Sequence, residues 1–490
     1  MQTRSSIRFA LNGQIHEVSG ADAFLMLADY LRKSCQLTGT KIVCAEGDCG
    51  ACTVLKAFSL KATRDELVFE PINACIALLA QMDGAHLVTV EGLAEPHAGH
   101  PVQEAMVKAH ASQCGYCTPG IVMALTGCIS QCSQALDAQK AKNALTGNLC
   151  RCTGYTPIIE AALALDPQQC PSLLEKFHVL ELQKQLRKTQ KAECRIEAEG
   201  VSLWAPTDLD QLLRLRKKHP DALLLSSTTD LGVQINKGKR ELSKAISLHL
   251  VPELYQWKKQ RQRLLIGARV SLETLRQLSR ETIPELSRLL DVFASPQIKN
   301  TATLVGNIAN ASPIGDTLPF LLAVDASVIV ASVRGEREVP LSELFVGYRR
   351  LQLKADELIT KVHIPIPSAQ EYLRLYKAAT RKDLDIATVS AAFLWSLDPK
   401  KVLLQKVHIA LGGVAATPIR AHKTEAFLKG RRLTREVLGE ASTLLQEEIQ
   451  PLSDLRGSSA YRRLLLQNFW EQFTREFFLA QEVQHERASL

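Results

Sequence analysis

Residues 44 to 52 read CAEGDCGAC, which places three cysteines within nine positions with glycines between them. A disulfide uses only two sulfurs, and a buried packing cysteine needs no neighbouring sulfur. Three sulfurs this close together indicate ligands of a metal ion or of a metal–sulfur cluster. The chain has 490 residues with 13 cysteines, and its first residues lack the apolar stretch of a signal peptide. We therefore expect reduced thiols and a cytoplasmic protein.

The three cysteines follow the spacing C-x4-C-x2-C, from Cys44 through Cys49 to Cys52, and Cys75 lies further on in INACIALL. This is the plant-type ferredoxin pattern for a 2Fe-2S cluster. The intervening glycines remove side chains where backbone amides can approach and hydrogen-bond the cluster sulfurs. The spacing therefore favours a 2Fe-2S cluster over a zinc ion or a chance arrangement.

The segments around this loop predict a small sheet that carries one helix. IRFAL and QIHEV flank Asn12-Gly13, a strong signal for a two-residue hairpin turn. Residues 22–33 show apolar side chains at helical spacing, and strand-like runs follow at ACTVLKAF and HLVTV. We expect the cysteine loop at the edge of this sheet.

A second group of cysteines lies in QCGYCTPG (113–120) and GNLCRCTGY (147–155). Both motifs lie between segments with helical periodicity, so helix termini can bring four thiolates together. The two pairs are Cys114/Cys117 and Cys150/Cys152. On spacing alone, a second 2Fe-2S cluster and a four-cysteine zinc site both fit. The other cysteines are expected to be packing residues: Cys35, Cys128, Cys132, Cys170 and Cys194.

Composition argues against several other classes of function. The net charge of +8 is mild, and basic clusters such as Lys258-Lys259 are expected to be solvated, so no nucleic-acid partner is predicted. No apolar run approaches the roughly 18 residues that a membrane span needs, so no membrane association is predicted. The sequence contains no P-loop, GxGxxG or HExxH motif.

Several stretches closely resemble the iron–sulfur portion of the molybdenum hydroxylases, the xanthine dehydrogenase and aldehyde oxidase family. These stretches are TGTKIVCAEGDCGACTV, INACIALLAQMDGAHLVTVEGLA, HPVQEAMVKAHASQCGYCTPGIVMAL and GNLCRCTGYTPI. The resemblance implies a β-grasp 2Fe-2S ferredoxin domain over residues 1–92 and a four-helix 2Fe-2S domain over 93–165. It assigns the cluster ligands as Cys44, Cys49, Cys52 and Cys75 in the first domain and Cys114, Cys117, Cys150 and Cys152 in the second. It also implies that Gln113 reaches the molybdopterin cofactor of a partner chain.

The next part of the chain resembles the flavin-binding part of the same family. Residues 166–197 are rich in Gln, Lys and Glu and are predicted to form a partly helical linker. Three stretches resemble the FAD-binding domain: FASPQIKNTATLVGNIANASPIGDTLPFLLAVDASVIV, SSTTDLGV and LYKAATRKDLDIATVSAAF. In the first of them, Thr, Asn, Ser and Gly offer amides and hydroxyls to a pyrophosphate. ALGGVAATPIRAHKTEAFLKGR resembles the start of the C-terminal flavoprotein domain. The expected fold is α+β multidomain, with an α+β FAD-binding domain over 198–371 and a C-terminal α+β flavoprotein domain over 372–490.

Residue by residue, the resemblance implies a set of FAD contacts, with Phe293 as the aromatic side chain beside the flavin. The set comprises Leu225, Ser226, Ser227, Thr228, Thr229, Asp230, Leu231, Phe293, Thr303, Asn307, Asn310, Asp316, Ile359 and Lys377. The family commonly has glycine where this chain has Ser227 and Val305, two positions at which the backbone comes close to phosphate. Added Cβ atoms there strain the loop or shift the cofactor.

The fused order of ferredoxin, helical and FAD domains favours the xanthine dehydrogenase arrangement over carbon-monoxide-dehydrogenase-type enzymes, which split these domains onto two chains. The resemblance implies an electron-transfer subunit, without catalytic residues of its own, that acts only with a molybdenum-containing large subunit. Electrons would pass from molybdopterin on that partner through two 2Fe-2S clusters to FAD and then NAD, during oxidation of hypoxanthine and xanthine to urate. We expect a heterotetramer or a larger assembly.

Two alternative functions stay open from the sequence. One is the iron–sulfur/FAD subunit of another molybdenum hydroxylase, acting on aldehydes or N-heterocycles. The other is a flavin-free electron carrier, because of Ser227 and Val305.

Overall fold

The chain turns back on itself where the sequence predicts a hairpin. β1 (Ser6–Leu11) and β2 (Gln14–Ser19) pair antiparallel. The turn residues Asn12 and Gly13 have left-handed φ angles of 50° and 83°, which both residue types adopt at low steric cost. The predicted hairpin is confirmed.

The computed structural model describes residues 3–60, 67–95, 97–398, 400 and 402–488. The chain divides into two compact units. The first unit comprises Met1–Gln256, Ser271–Glu273 and Ala294–Thr303, and the second comprises Trp257–Val270, Thr274–Phe293 and Leu304–Leu490. The domain boundaries proposed from the sequence stay predictions.

A five-stranded mixed sheet opens the first unit. The helix and the further strands are α1 (Leu27–Lys33), β3 (Thr53–Ala57), β4 (Glu70–Asn73) and β5 (His86–Val88), and the strand order is β2-β1-β5-β3-β4. α1 packs through Leu27, Ala28 and Leu31, which are fully buried. The helix predicted over 22–33 begins later, because a 3-10 turn over Gly20–Phe24 comes first and is followed by extended backbone.

Short helices follow the sheet. They are α2 (Val90–Leu93), α3 (Pro101–Lys108), α4 (Thr118–Ile129), α5 (Ala138–Leu145), α6 (Thr156–Leu163), α7 (Leu173–Lys176) and α8 (Val179–Thr189). Apolar side chains of α3 to α6 meet in one core. α8 lies in the predicted linker, yet it buries Leu186 and Gln183, whose Oε1 is 2.7 Å from His86 Nε2. This helix is therefore packed against the first unit.

A second sheet completes the first unit. Its elements are β6 (Cys194–Ala198), β7 (Val201–Ala205), α9 (Leu209–Lys218), β8 (Leu223–Leu225), α10 (Leu231–Asn236) and β9 (Lys244–Ser247), in the strand order β6-β7-β9-β8. One hydrophobic core includes Ile76 and Leu79 beside the first sheet and Leu225 and Ala245 of the second. The two sheets thus share buried surface.

The second unit begins with a five-stranded antiparallel sheet, whose neighbouring strands are, in order, β10 (Trp257–Gln260), β11 (Arg263–Gly267), β16 (Leu358–Pro365), β12 (Ser327–Ser332) and β13 (Gly335–Pro340). The elements of this part of the chain are β10 (Trp257–Gln260), β11 (Arg263–Gly267), α11 (Leu272–Thr282), α12 (Pro284–Asp291), α13 (Pro296–Lys299), α14 (Leu304–Asn310), α15 (Thr317–Ala323), β12 (Ser327–Ser332), β13 (Gly335–Pro340), α16 (Leu341–Leu344), β14 (Phe345–Gly347), β15 (Arg350–Leu351) and β16 (Leu358–Pro365). α13 belongs to the first unit.

A four-stranded sheet and helices end the chain. They are β17 (Tyr372–Ala378), β18 (Val389–Leu397), β19 (Leu404–Gly412), β20 (Ile419–Arg420), α17 (His422–Leu428), α18 (Arg435–Glu447) and α19 (Ser459–Ala488). Aromatic side chains of α19, among them Phe473 and Phe477, pack against Phe393 and Trp395 of β18. The architecture is multidomain α+β, as predicted. None of the described helices is long and apolar enough to cross a lipid bilayer.

Candidate cofactor-binding sites

The first group of predicted ligands is gathered in one place. Cys44, Cys49 and Cys52 lie on the loop before β3, and Cys75 follows β4. The amide of Cys49 donates to Cys44 Sγ at 3.5 Å, and the thiols of Cys44 and Cys52 are both in hydrogen-bonding contact with Cys75. Cys52 and Cys75 are buried, whereas the other two are half-buried.

Hydrogen bonds among these four thiols shift their pKa values in opposite directions. Hydrogen bonds from Cys49 and then Cys75 lower the pKa of the Cys44 thiol. The pKa of the Cys75 thiol is raised, because its proton is held by Cys44 and Cys52. Ligation requires thiolates, and the positive charge of a bound metal offsets their mutual repulsion. The four-sulfur donor set therefore fits a 2Fe-2S cluster.

The loop that carries these thiols is closely packed. Asn73 Nδ2 donates to the Gly47 carbonyl at 2.8 Å, and Asn73 Oδ1 lies 3.8 Å from Cys52 Sγ. Gly50 has a φ of +68°, and a Cβ there would overlap the carbonyl oxygen of Gly147. Position 50 thus requires glycine for both its conformation and the space around it.

The second group of predicted ligands also converges. Cys114 and Cys117 precede α4, and Cys150 and Cys152 precede α6. The sulfur of Cys152 lies 3.6 Å from that of Cys114 and 3.9 Å from that of Cys150, and Cys117 is in hydrogen-bonding contact with Cys150. Helix termini therefore bring the two pairs together.

Burial and hydrogen bonding act in opposite directions on this second group. Burial raises the pKa of the Cys117 thiol to about 12. Burial also acts to raise the pKa of Cys150, but hydrogen bonds with the side chain and backbone of Thr153 lower it to about 7. The Cys150 sulfur lies 3.0 Å from Thr153 Oγ1. A thiol that loses its proton this readily is suited to metal ligation.

In the described ranges, no three His, Cys, Asp or Glu side chains surround one point as the ligands of a single ion do.

Gln113, predicted to reach a pterin, is exposed beside the exposed Cys114.

The loops of the two thiol groups are in direct contact. The amide of Leu149 donates to the carbonyl oxygen of Cys49 at 2.9 Å. Asn148 Nδ2 donates to the Gly50 carbonyl at 3.0 Å. The first bond joins the residue before Cys150 to Cys49 itself. The second joins Asn148 to the residue that follows Cys49.

The predicted FAD residues fall in both units. Those in the first unit are Leu225, Ser226, Ser227, Thr228, Thr229, Asp230, Leu231 and Thr303. The hydroxyls of Ser226 and Thr303 are 3.2 Å apart, and those of Ser227 and Thr229 are 3.3 Å apart. The loop from β8 to α10 and the segment at Thr303 are thus brought together.

The loop between β8 and α10 rests on the segment that follows Cys75. Thr228 is buried with a φ of +58°, and its hydroxyl donates to the Ile76 carbonyl at 3.0 Å and accepts from the Leu78 amide at 3.4 Å. Gln81 Nε2 donates to the Leu225 carbonyl at 3.1 Å. The Thr228 hydroxyl is therefore committed to protein contacts.

The other predicted FAD residues lie in the second unit, where Asp316 and Lys377 form a buried ion pair at 2.8 Å. Lys377 Nζ also donates to the carbonyl of Val292, next to Phe293, at 3.4 Å. Asp316 Oδ1 is buried and has no hydrogen-bond partner among the described residues. Burial raises the pKa of Asp316 against the attraction of Lys377. An unsatisfied buried acceptor of this kind fits a ribityl or ribose hydroxyl.

The remaining predicted contacts of the second unit are engaged with the protein. Asn307 Oδ1 accepts from Thr317 Oγ1 at 2.7 Å, and Asn310 Oδ1 accepts from Arg349 Nη1 at 3.1 Å. Ile359 is buried in β16. Val305, where the family has glycine, is buried in the first turn of α14.

Sequence reasoning missed the buried amides that connect these loops. They are Gln81, Asn148 and Gln297, each at most 4% exposed. The only local signal was an uncharged amide in an apolar or glycine-rich context, as in CIALLAQMDG. Their partners lie far away along the chain, so the contacts themselves had no sequence signal.

Three family models match the chain. "[2Fe-2S] binding domain" matches residues 89–163. "FAD binding domain in molybdopterin dehydrogenase" matches 197–367, and "CO dehydrogenase flavoprotein C-terminal domain" matches 374–477. The chain therefore contains domains for a 2Fe-2S cluster and for FAD.

Curated relatives match nearly the whole chain. Xanthine dehydrogenase of Emericella nidulans is 33% identical over 96% of this chain and 38% of its own length. Xanthine dehydrogenase of Oryza sativa is 32% identical over 94% of this chain and 39% of its own length. Xanthine dehydrogenase/oxidase of Rattus norvegicus is 30% identical over 96% and 39%. The chain thus spans about two fifths of the length of these relatives.

Solved structures share the fold of part of the chain. A carbon monoxide dehydrogenase chain from Hydrogenophaga pseudoflava has a TM-score of 0.52 and 24% identity, covering 55% of this chain and 94% of that chain. A chain of quinoline 2-oxidoreductase from Pseudomonas putida 86 has a TM-score of 0.50 and 25% identity, covering 55% and 93%.

Proposed function

Because this chain belongs to the molybdenum hydroxylase family and carries its iron–sulfur and FAD-binding domains, we propose that it is the electron-transfer subunit of a xanthine dehydrogenase. Electrons would pass from a molybdenum cofactor on a partner subunit through two 2Fe-2S clusters to FAD and then NAD, while hypoxanthine and xanthine are oxidised to urate. When bound, 2Fe-2S clusters carry single electrons, and a flavin takes two and passes a hydride to a nicotinamide.

The observation that supports this proposal is the continuity of the three candidate sites. The Leu149 amide bonds to the carbonyl of Cys49, which links the second thiol group to the first. Thr228 bonds to the carbonyl of Ile76, which links the residue after Cys75 to the predicted FAD loop. One backbone hydrogen bond and one from a side-chain hydroxyl therefore connect all three parts of the first unit.

The residues have separate roles in this proposal. Each group of four cysteines would hold one cluster. Asp316 would accept a hydrogen bond from a flavin hydroxyl through Oδ1, and Lys377 would fix the Asp316 carboxylate. Gln113, exposed beside Cys114, would face the pterin of the partner.

Metal and flavin analysis of the purified full-length chain tests the proposal. We expect about four irons per chain, with sulfide, and a flavin that is released on denaturation. Combined with a molybdenum-containing partner subunit, the protein should reduce NAD when xanthine is supplied. Zinc in place of iron would refute the proposal.

A hydroxylase of N-heterocycles is the second candidate, because the fold is shared with quinoline 2-oxidoreductase. The same complex supplied separately with xanthine, an aldehyde and quinoline distinguishes these activities. Iron without releasable flavin would instead support a flavin-free carrier, the alternative raised by Ser227 and Val305.

A further inference from the structure

Gln297 of α13 places a buried amide between the two thiol-bearing loops. Its side chain is fully buried at 0% exposure. Gln297 Nε2 donates to Asn148 Oδ1 at 2.8 Å and to Thr53 Oγ1 at 3.2 Å. One amide group therefore touches Asn148 of the second thiol loop and Thr53, the first residue of β3, which directly follows the first thiol loop.

Both partners of Gln297 are bonded to the loop of the first thiol group. Thr53 directly follows Cys52, and its hydroxyl donates to the Gly50 carbonyl at 2.6 Å. Asn148 Nδ2 donates to the same carbonyl at 3.0 Å. A side chain that fixes Thr53 and Asn148 also fixes the position of Gly50 relative to residues 148–150.

The directions of these hydrogen bonds follow from chemistry. The Gly50 carbonyl can only accept, so Asn148 presents its NH2 group to Gly50 and its oxygen to Gln297. Gln297 must then donate through Nε2, which leaves its Oε1 buried without a hydrogen-bond partner among the described residues. A side chain whose task was only to fill space would be apolar here, because an unsatisfied buried acceptor is costly.

The surrounding backbone leaves little room for another arrangement. A Cβ at Gly147 would overlap Gln297 Oε1 and would lie 2.6 Å from the Cβ of Ser295. Ser295 caps α13 by accepting from the Ile298 amide at 3.2 Å. The amide of Gln297 is thus held in place on both sides.

We propose that Gln297 is a positioning residue that fixes the distance between the two clusters and thereby sets their electronic coupling. The proposal rests on the proposed function, since it requires both clusters. The two hydrogen bonds that the Gln297 amide donates go to Thr53 and Asn148, and through these residues it acts on the contact between Cys49 and Leu149.

The test compares the full-length chain with Gln297→Met and Asn300→Ala. Methionine keeps the length of the side chain without its donors. Asn300 makes a matched control, because its Nδ2 donates at 2.9 Å from the same segment to the Pro71 carbonyl, outside both ligand loops. Each protein is assayed for iron and flavin, and the magnetic interaction between its reduced clusters is measured by electron paramagnetic resonance.

We expect Q297M to retain iron and flavin but to lose the magnetic splitting between the clusters. Electron transfer between them should slow, and activity should fall about tenfold, at the lower end of the range for residues that support metal ligands. N300A should keep both the splitting and the rate. Unchanged splitting in Q297M would overturn the proposal.

Further outcomes separate this proposal from the proposed function. If the unsubstituted chain holds no iron, the proposed function fails, and this proposal fails with it. If Q297M alone loses iron, Gln297→Glu is measured, because a protonated carboxyl keeps one donor and should weaken the splitting while iron stays bound. Iron loss in Q297E as well would show that Gln297 is needed for the cysteines to bind iron at all, and the proposed role in coupling would be wrong.

Discussion

The backbone amide of Cys150 donates to the hydroxyl of Tyr155 at 2.8 Å. The pKa of its thiol is lowered to about 7, so a substantial fraction of the thiol is ionised at neutral pH. Both features are expected of a ligand that is fixed before the metal binds.

Replacing Cys150 with serine should therefore remove the second cluster and leave the first. The iron content should fall from about four to about two per chain, and under the proposed function substrate oxidation by the partner should no longer reduce NAD. Cys128→Ser is the control, because Cys128 lies within α4 and outside both groups of four. Equal iron in C150S and the unsubstituted chain would contradict the assignment.

The buried pair of Asp316 and Lys377 provides a second prediction at this scale. Asp316→Asn leaves Lys377 without a counter-charge, which costs about 3–5 kcal/mol for a buried pair, and flavin per chain should fall while iron is retained. Glu371→Gln is the matched control: it removes a half-buried pair with Lys406 at 2.7 Å and should cost at most about 1 kcal/mol. Unchanged flavin in D316N would place the flavin elsewhere.

The sequence predicted the cysteine ligands more fully than the buried polar contacts around them. Cysteine spacing is local information, and the structure gathers all eight predicted thiols. Thr228, in contrast, was predicted to contact FAD, and the bonds of its side chain to Ile76 and Leu78 had no sequence signal. Gln297 was not predicted at all, because its partners Thr53 and Asn148 are distant in sequence. Buried polar contacts between distant segments leave no pattern in one sequence.

At the scale of elements, α3 begins with a histidine cap. His100 Nδ1 accepts from the Val102 amide at 3.3 Å, and Gln103 Oε1 accepts from the His100 amide at 2.9 Å. Burial, with a smaller contribution from Lys176, lowers the pKa of His100 from 6.5 to about 4. The cap is therefore neutral in the folded chain near neutral pH.

This cap makes the stability of the first unit pH-dependent. Because the unfolded chain binds the proton first, the contribution of His100 is complete above pH 6.5 and is lost as pH falls from 6.5 through about 4. His100→Asn keeps an N-cap and should reduce the loss of stability between about pH 7 and about pH 4.5 by about 2–3 kcal/mol. Parallel melting curves of the two proteins at both pH values would measure the difference, and identical losses would be inconsistent with it.

α10 packs against the segment that follows Cys75. A Cβ at Gly232 would overlap the carbonyl oxygen of Ile76, and this backbone cannot move without displacing Cys75. Asn236, at the end of α10, donates through Nδ2 to the carbonyls of Ala45 and Cys75, both at 2.8 Å. The helix therefore holds both sides of the first thiol group.

Gly232→Ala should displace α10 and lower both flavin and first-cluster iron, at a cost of about 1–3 kcal/mol for overpacking. The second cluster should persist. Gly439→Ala in α18 is the control, because a Cβ there meets nothing within 4 Å and alanine favours a helix by up to about 1 kcal/mol. Normal flavin and iron in G232A would mean that α10 does not support either site.

Elements were predicted well where the signal is local. The Asn12-Gly13 turn was predicted because both residues adopt left-handed φ angles. The start of α1 was wrong, because apolar spacing does not distinguish a 3-10 turn followed by extended backbone from the first turn of a helix. The predicted linker is helical in part, yet the packing of Gln183 had no sequence signal, since polar residues normally indicate exposure.

At the scale of the whole molecule, the first unit does not divide at the end of its cysteine motifs. Its hydrophobic core combines Ile76 and Leu79 with Leu225 and Ala245. Family resemblance predicted the kinds of domain along the chain but not this shared core, because a core depends on contacts between distant segments.

A chain shortened to residues 1–165 should therefore be less stable than one shortened to 1–256, which retains the second sheet. Losing several buried side chains at about 2–5 kcal/mol each should lower the melting midpoint by roughly 10 °C or more. Iron in the first group should fall with it. Equal midpoints and iron in the two fragments would show that the ferredoxin-type part folds independently.

The contact between Gly50 and Gly147 also limits which substitutions can be accepted at these two positions during evolution. Any larger residue at position 50 strikes the backbone of the other loop, and one at position 147 strikes Gln297. Single-step mutational scans should find both sites intolerant. A tolerated change at either one would require a second change in a segment about a hundred or more positions away, so these segments should evolve together.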